Sequence, residues 1–295
     1  LYDLLWVGRE MQLHLWLQVC LRMARLSGGH RVGGIEVFTS RAAGSGVGAT
    51  RSLSHPDARA ALDQLHDKGL NFDAGRRGQL TPANGWHVDD YRQVLPPEPP
   101  GPPLPDGSWE TARRLMRDYE FADPSIITAI YHPGQPLDQR DMLLDGRFLG
   151  LRFRFGCRVG GINDETRTAE RRRVRVWGWN YRTLQGHLEM GQMDYEVWKW
   201  LDDGTVEFRI HAVSKAAHIA NPLIRAGFLL FGRRMQVTFA RHACRRMEAL
   251  TTAELVRKAT HVPTAARPRA AGTITVAPAA DHGLDARLAG RQGGP

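Results

Sequence analysis

The chain has 295 residues, 42% of them hydrophobic, and 40 lysines and arginines against 31 aspartates and glutamates give it a formal charge of +9 and a pI near 10. That apolar fraction supports a real core in one or two domains and excludes a wholly disordered chain. Cys20, Cys157 and Cys244 are far apart, which excludes a disulfide framework and a CxxC motif; they fit a reduced cytoplasmic setting, with Cys157 and Cys244 as small buried hydrophobes.

Met11 to Leu26 has an amphipathic helical pattern, but His14, Gln18, Arg22 and Arg25 interrupt its apolar run. It is too short and too charged to span a bilayer, and no basic head or small-residue cleavage site marks it as a secretory signal. Ser27 to Thr50 is rich in glycine, serine and arginine. Its Gly44-Ser45-Gly46-Val47-Gly48 run lacks the strand and helix that a phosphate loop needs. The chain begins with Leu1, as a fragment or an extended reading frame would. Residues 1–68 are therefore expected to form a poorly ordered extension with one or two short helices, the second over Ser54 to Lys68.

Trp86 to Leu95 reads as a strand, followed by a proline-rich loop. Trp109 to Tyr119 and Pro124 to Tyr131 are predicted as two short helices, Asp123-Pro124 supplying the second with an N-cap and a first-turn proline. Leu149, Leu151, Phe153, Phe155, Cys157 and Val159 then alternate with glycine and arginine, the pattern of a half-buried strand. Two further strands are predicted at Asp164 to Thr168 and Arg173 to Arg182, around a polar turn at Ala169-Glu170-Arg171. Serial antiparallel strands with one wet and one dry face imply a strongly curved sheet.

Between Gln192 and Lys215, Asp203-Gly204 predicts a two-residue type I′ hairpin, because that turn needs positive φ at both central positions. Centred there, it pairs Leu201 with Val206, Lys199 with Phe208, Val197 with Ile210 and Tyr195 with Ala212. The other face pairs Trp200 with Glu207, Trp198 with Arg209 and Glu196 with His211, the tryptophans exposed and Trp198 stacked on Arg209. Lys199 is a cation on the apolar face. It is expected at a bulge or snorkelling past the rim, with a cavity lysine that meets an anionic group as the alternative.

Gly186 and Gly191 bracket His187 and Glu189 in the turn before that hairpin. Glycines permit a tight reversal, so the structural reading is a turn in which His187 is a cap and Glu189 accepts backbone N–H bonds. The functional reading has imidazole and carboxylate pointing the same way, as a general base or a polar ligand contact. Two ligands without a third argue against metal. Tyr181, Asn180 and Trp179 are expected to line the same end. Downstream, Asn221 caps and Pro222 opens a long helix. Ile224, Phe228, Phe231, Met235, Phe239, Ala243, Met247 and Leu250 recur along it at 3- and 4-residue spacing, one apolar stripe that faces a sheet or cavity. Residues 257–295, rich in alanine, glycine, proline and arginine, are expected to be a disordered tail.

The positive charges are dispersed over strand exteriors, the long helix and the tail, without a recognition motif. Specific nucleic-acid binding is not expected, and Arg241 to Arg246 would carry any that occurs.

The runs WHVDDYRQVLPPEPPGPP, SWETARRLMRDYEFADPSI, RDMLLDGRFLGLRF, VRVWGWNYRTLQGHLEMGQMDYEVWKW and EFRIHAVSK resemble the bacterial family called Domain of Unknown Function 1990. The resemblance covers about residues 69–256 and rests most on Tyr-Arg-Thr-Leu-x-Gly-His-x-Glu-x-Gly. It implies a distant START-like, birch-pollen-allergen-like domain over 69–256: an α+β helix-grip fold, with a curved antiparallel sheet around a long C-terminal helix, two short helices and a cup between them. It implies no activity and no cofactor. The expectation is a cytoplasmic protein whose cup holds a small apolar or amphipathic molecule, with His187, Glu189, Lys199, Tyr181 and Trp179 as contacts. The alternatives are a hydrolase- or cyclase-like enzyme using His187 and Glu189, and an interaction module docking through its basic helix or the Trp198 and Trp200 face.

Overall fold

Alternating side chains over long stretches build most of the molecule. The computed structural model describes residues 31–32, 35–39, 55–148, 151–219, 222–260 and 274–278. The expectations for Met11 to Leu26, Gly44 to Gly48 and the Asn221 cap lie outside these. In chain order the elements are β1 (Arg31–Val32), β2 (Ile35–Thr39), α1 (His55–Asp63), β3 (His87–Leu95), α2 (Ser108–Arg117), β4 (Ile127–Tyr131), β5 (Asp141–Phe148), β6 (Leu151–Ala169), β7 (Arg172–Thr183), β8 (Glu189–Trp200), β9 (Val206–Ala216), α3 (Pro222–Ala259) and β10 (Thr275–Ala277). The strands form one antiparallel sheet in the order β10-β4-β5-β6-β7-β8-β9-β3, with the β1–β2 hairpin added along β6.

The 38-residue α3 lies against the inner face of this sheet. Its Phe239, Ala240, Ala243, Met247 and Leu250 join a core with Tyr119, Phe121, Trp179, Tyr195 and Phe208. The aromatic rings interlock, Phe121 and Tyr195 at 4.7 Å between centroids and Trp179 and Tyr195 at 5.2 Å. This is the helix-grip arrangement. The predicted strands at Asp164–Thr168 and before Val159 are one 19-residue strand, β6, kinked where its register with β7 shifts between Val159 and Gly161. Gly160 sits at the shift because a Cβ there would lie 2.3 Å from Arg182 Nε. The β6–β7 turn has Glu170 and Arg171 both at positive φ, 51° and 63°, without a glycine.

Several expectations are corrected. Pro124 to Tyr131 is not a helix: Asp123 holds one turn through Ser125, and the β-branched run from Ile126 enters β4. The β8–β9 hairpin is shifted by two residues, pairing Lys199 with Val206, Val197 with Phe208 and Tyr195 with Ile210. Its loop is Leu201 to Thr205, closed by Gly204 N–H to Trp200 O at 2.9 Å. The proline-rich loop decides this, since Glu98 N–H donates to Gly204 O at 3.0 Å and Gly101 N–H to Leu201 O at 2.7 Å. A shift of two preserves which side chains face inward, so the facing assignment survives the register error.

The tail expected to be disordered contributes β10, which pairs with β4 and buries Ile274 and Ala277. The helix expected at Ser54 to Lys68 is α1, and its Leu62, with Leu65 of the turn that follows, packs against Ile130, Leu143 and Leu184 on the outer face. Arg158 fastens its end, donating to Leu65 O at 2.9 Å, His66 O at 3.0 Å and Lys68 O at 3.3 Å while pairing with Asp141 at 2.6 Å. One guanidinium thus gathers the carbonyls of the turn that follows the helix.

On the outer face Trp198 and Trp200 are buried, at 7% and 2% exposure, rather than offered to a partner. Guanidinium groups cover them: Arg167 and Arg209 lie 4.8 and 3.7 Å from the Trp198 centroid, Arg172 and Arg209 4.5 and 5.8 Å from that of Trp200. Arg209 reaches Trp198 diagonally, because Glu207 stands opposite that tryptophan. The Glu207 carboxylate below accepts from Trp200 Nε1 at 3.0 Å, from Arg209 Nε at 2.8 Å and from Arg92.

Candidate functional site

The turn between β7 and β8 begins with Thr183, whose hydroxyl donates to Asn71 Oδ1 at 2.6 Å and accepts from Gly191 N–H at 2.9 Å. Asn71 Nδ2 reaches the Glu189 carbonyl at 2.7 Å, locking the start of β8. Gly186 has φ 88°, and Gly191 has φ 155° with its Cα so near β9 that a Cβ would sit 2.0 Å from Val213 O.

Within this turn His187 Nδ1 accepts the Glu189 backbone N–H at 2.9 Å. That nitrogen therefore carries no proton, the imidazole is neutral with its hydrogen on Nε2, and burial pushes its pKa down to about 3. The ring lies against Phe155, 4.5 Å between centroids. His187 is a cap. The Glu189 carboxyl lies instead near Gln236 and Arg233 of α3; burial pushes its pKa up to about 7, while those two groups draw it partly back. The two side chains do not form an imidazole–carboxylate dyad.

Next to Glu189 the inner face carries a line of weakly acidic groups. The Cys157 thiol is fully buried, its pKa raised by burial and by the nearby Glu189 charge. Tyr181 stands opposite Met193 and adjoins Tyr195, 5.7 Å between ring centroids; both hydroxyls reach Met193 Sδ, at 3.7 and 3.0 Å. Burial raises the pKa of Tyr119, Tyr181 and Tyr195, so all three remain phenols at neutral pH. Trp179 lies deeper, its indole N–H committed to Met116 O at 3.2 Å. It is wall rather than polar contact. Asn180 faces the opposite way, toward the Gly160 kink.

Lys199 does not join them. It sits at the far end of β8, ten positions from Glu189 and about 33 Å away at ~3.3 Å per residue. It is fully buried, neither bulged nor snorkelling, with Nζ 2.6 Å from Glu98 Oε2 and 2.9 Å from Pro102 O. The structure thus places Glu189 and Tyr181 on the same inner face, leaves His187 in the turn above and removes Lys199. Sequence reasoning missed Tyr119, Tyr195, Cys157, Gln236 and Arg233. Gln236, a polar neighbour of the stripe residues Met235 and Phe239, was the available signal.

Within the basic segment of α3, Arg246 is buried and donates to Glu120 O at 3.1 Å, so Arg241 to Arg246 is not a continuous cationic surface. Among the described residues no group of three or more His, Cys, Asp and Glu could hold a metal ion, and no helix is long and apolar enough to cross a membrane.

The model of the family described as Domain of unknown function (DUF1990) matches residues 67–246, well over half of the chain. The chain belongs to that family. The DUF1990 match opens just before the Leu70–Leu184 bridge that backs the β7–β8 turn, and it includes Glu189, Tyr181 and Gln236. No curated protein matches the chain. Among solved structures, the crystal structure of Ara h 8.0201 is similar at 10% identity and a TM-score of 0.33, covering 57% of this DUF1990 chain and 99% of that one. The crystal structure of major latex-like protein 151 from Panax ginseng is similar at 10% identity and 0.32, covering 60% and 99%. That of human STARD10 is similar at 9% identity and 0.31, covering 74% and 87%.

Proposed function

We propose that this chain binds a small apolar or amphipathic molecule against the inner face of its sheet, between β7, β8 and the first half of α3, with Glu189 fixing the polar end of the ligand. The observation that carries this reading is the Glu189 carboxyl, set on the inner face of β8 where burial raises its pKa. Arg233, the nearby cation, gives its guanidinium to Asp89 in a two-pronged pair. A carboxyl kept there is costly to the fold, and such groups concentrate where ligands bind. The Tyr181 hydroxyl and the Met193 thioether lie farther along the same face, and Tyr91, Phe155 and Met193 are apolar groups only partly covered by the core. A neutral alcohol or ketone suits this polar end, because the ligand must accept from or donate to a carboxyl that titrates near neutrality. The reduced thiols Cys157 and Cys244 support a cytoplasmic setting.

The experiment is a fluorescence titration of the full chain with an apolar dye such as anilinonaphthalene sulfonate, followed by displacement with long-chain alcohols, ketones and carboxylic acids. Saturable dye binding, displaced at micromolar alcohol and weakened tenfold or more by Glu189→Gln, is the expected result. Absence of saturable binding, or identical displacement curves for wild type and Glu189→Gln, overturns the reading.

A further inference from the structure

A cleft lies on the side of the sheet away from Glu189. Residues 72–86 wrap the outer end of β9, and between that loop and the strand is a hollow of about 540 Å³ lined by Asp73, Arg76, Gln79, Leu80, Asn84, Trp86 and Lys215. Ser214 points inward to Gln236 at 2.9 Å, so its neighbour Lys215 points outward, and this hollow does not share the Glu189 face.

The chemistry of its walls is one-sided. Lys215 Nζ donates one bond, to Asn84 O at 3.0 Å, and has two N–H groups left. Arg76 meets Asp73 through Nε at 3.0 Å, and its terminal nitrogens are uncommitted. The one carboxylate, Asp73, is engaged by Arg76 and by Gly75 N–H at 3.0 Å. Along the same wall Trp86 offers a half-buried indole, held edge-on by Phe72 at 6.0 Å. Spare donors outnumber spare acceptors around a flat apolar surface, and the volume falls within the range of small-molecule sites. We infer that this cleft binds a planar aromatic anion, its ring on Trp86 and its anionic group between Lys215 and Arg76.

Isothermal titration of the full chain with naphthalene-2-carboxylate, and with its neutral amide, tests this. One-to-one binding is expected, at least tenfold tighter for the acid than for the amide and weakening as salt rises. Lys215→Gln and Arg76→Gln should each lower affinity tenfold or more with unchanged circular dichroism, since both side chains are at the surface. Glu189→Gln should leave it unchanged. No binding at millimolar probe, equal affinity for acid and amide, or insensitivity to both surface variants overturns the inference. So does loss of binding in Glu189→Gln alone, which would place the probe at the inner face.

Discussion

Glu98→Gln and Lys199→Met break the same buried pair from opposite sides and are expected to differ in cost. Glu98 accepts from Lys199 Nζ at 2.6 Å and from two backbone amides, Leu104 N–H at 3.0 Å and Trp109 N–H at 2.8 Å. Lys199 has only Glu98 and Pro102 O. Glu98→Gln therefore leaves a buried ammonium with neutral acceptors only and sets an amide nitrogen against a backbone donor, a change worth ~3–5 kcal/mol for an uncompensated buried ion. Lys199→Met leaves a carboxylate that keeps both amide donors, at about 1.5–3 kcal/mol. The double variant carries neither charge and should lose only ~1–2 kcal/mol, giving a coupling energy of at least ~2 kcal/mol. Urea unfolding of all four proteins at neutral pH, followed by circular dichroism, completes the cycle. Should Lys199→Met be the more damaging single change, or the singles add to the double within about 0.5 kcal/mol, the account of this pair is refuted.

Glu189 titrates near 7 in the fold against about 4.5 unfolded, so the folded state holds an extra proton between these values and stability declines as pH rises across that window. The decline is at most ~3 kcal/mol, and unfolding of Glu189→Gln measured from pH 4 to 8 should lack it; an unaltered slope removes Glu189 as its source. Asp123 behaves oppositely: burial raises its pKa, but hydrogen bonds from His242 and Ser125 more than reverse this and hold it at about 2. Its contribution, ~2 kcal/mol, is complete above the unfolded pKa of about 3.8 and vanishes as pH falls toward 2. Asp123→Asn should therefore flatten acid unfolding, and a profile identical to wild type would contradict this. Arg158→Met should detach the end of α1, raising hydrogen exchange of amides 62–68 tenfold or more while β5 and β6 stay protected; uniform protection would show that apolar packing alone holds the helix.

Local chemistry explains what was legible. The alternation from Phe153 to Val159 and the stripe from Phe239 to Leu250 each record one face against one core, so sheet, helix and their facing could be read directly. Lys199 could not, because its counter-ion lies 101 positions earlier in a loop whose path the sequence does not announce. The β8–β9 register failed for the same reason, since Glu98 and Gly101 set it from outside the hairpin. Pro124 to Tyr131 misled because Asp-Pro opens a helix and a single turn alike, and only the following isoleucines argue for a strand. His187 and Glu189 were correctly found in one turn, but a hydrogen bond from backbone to imidazole, which no spacing reveals, sends them different ways.

The row Arg167, Trp198, Arg209, Trp200, Arg172 has a bearing on solubility. Two indoles in the middle of an exterior surface are kept from other molecules by flat cations that shed water easily enough to lie on them. Arg209, which touches both rings, is the keystone. A lysine there would retain the charge but stand upright in solvent, and the bared indoles would become adhesive toward neighbouring copies. Arginine content, so easily dismissed as mere surface decoration, is here what keeps the back of the sheet from sticking.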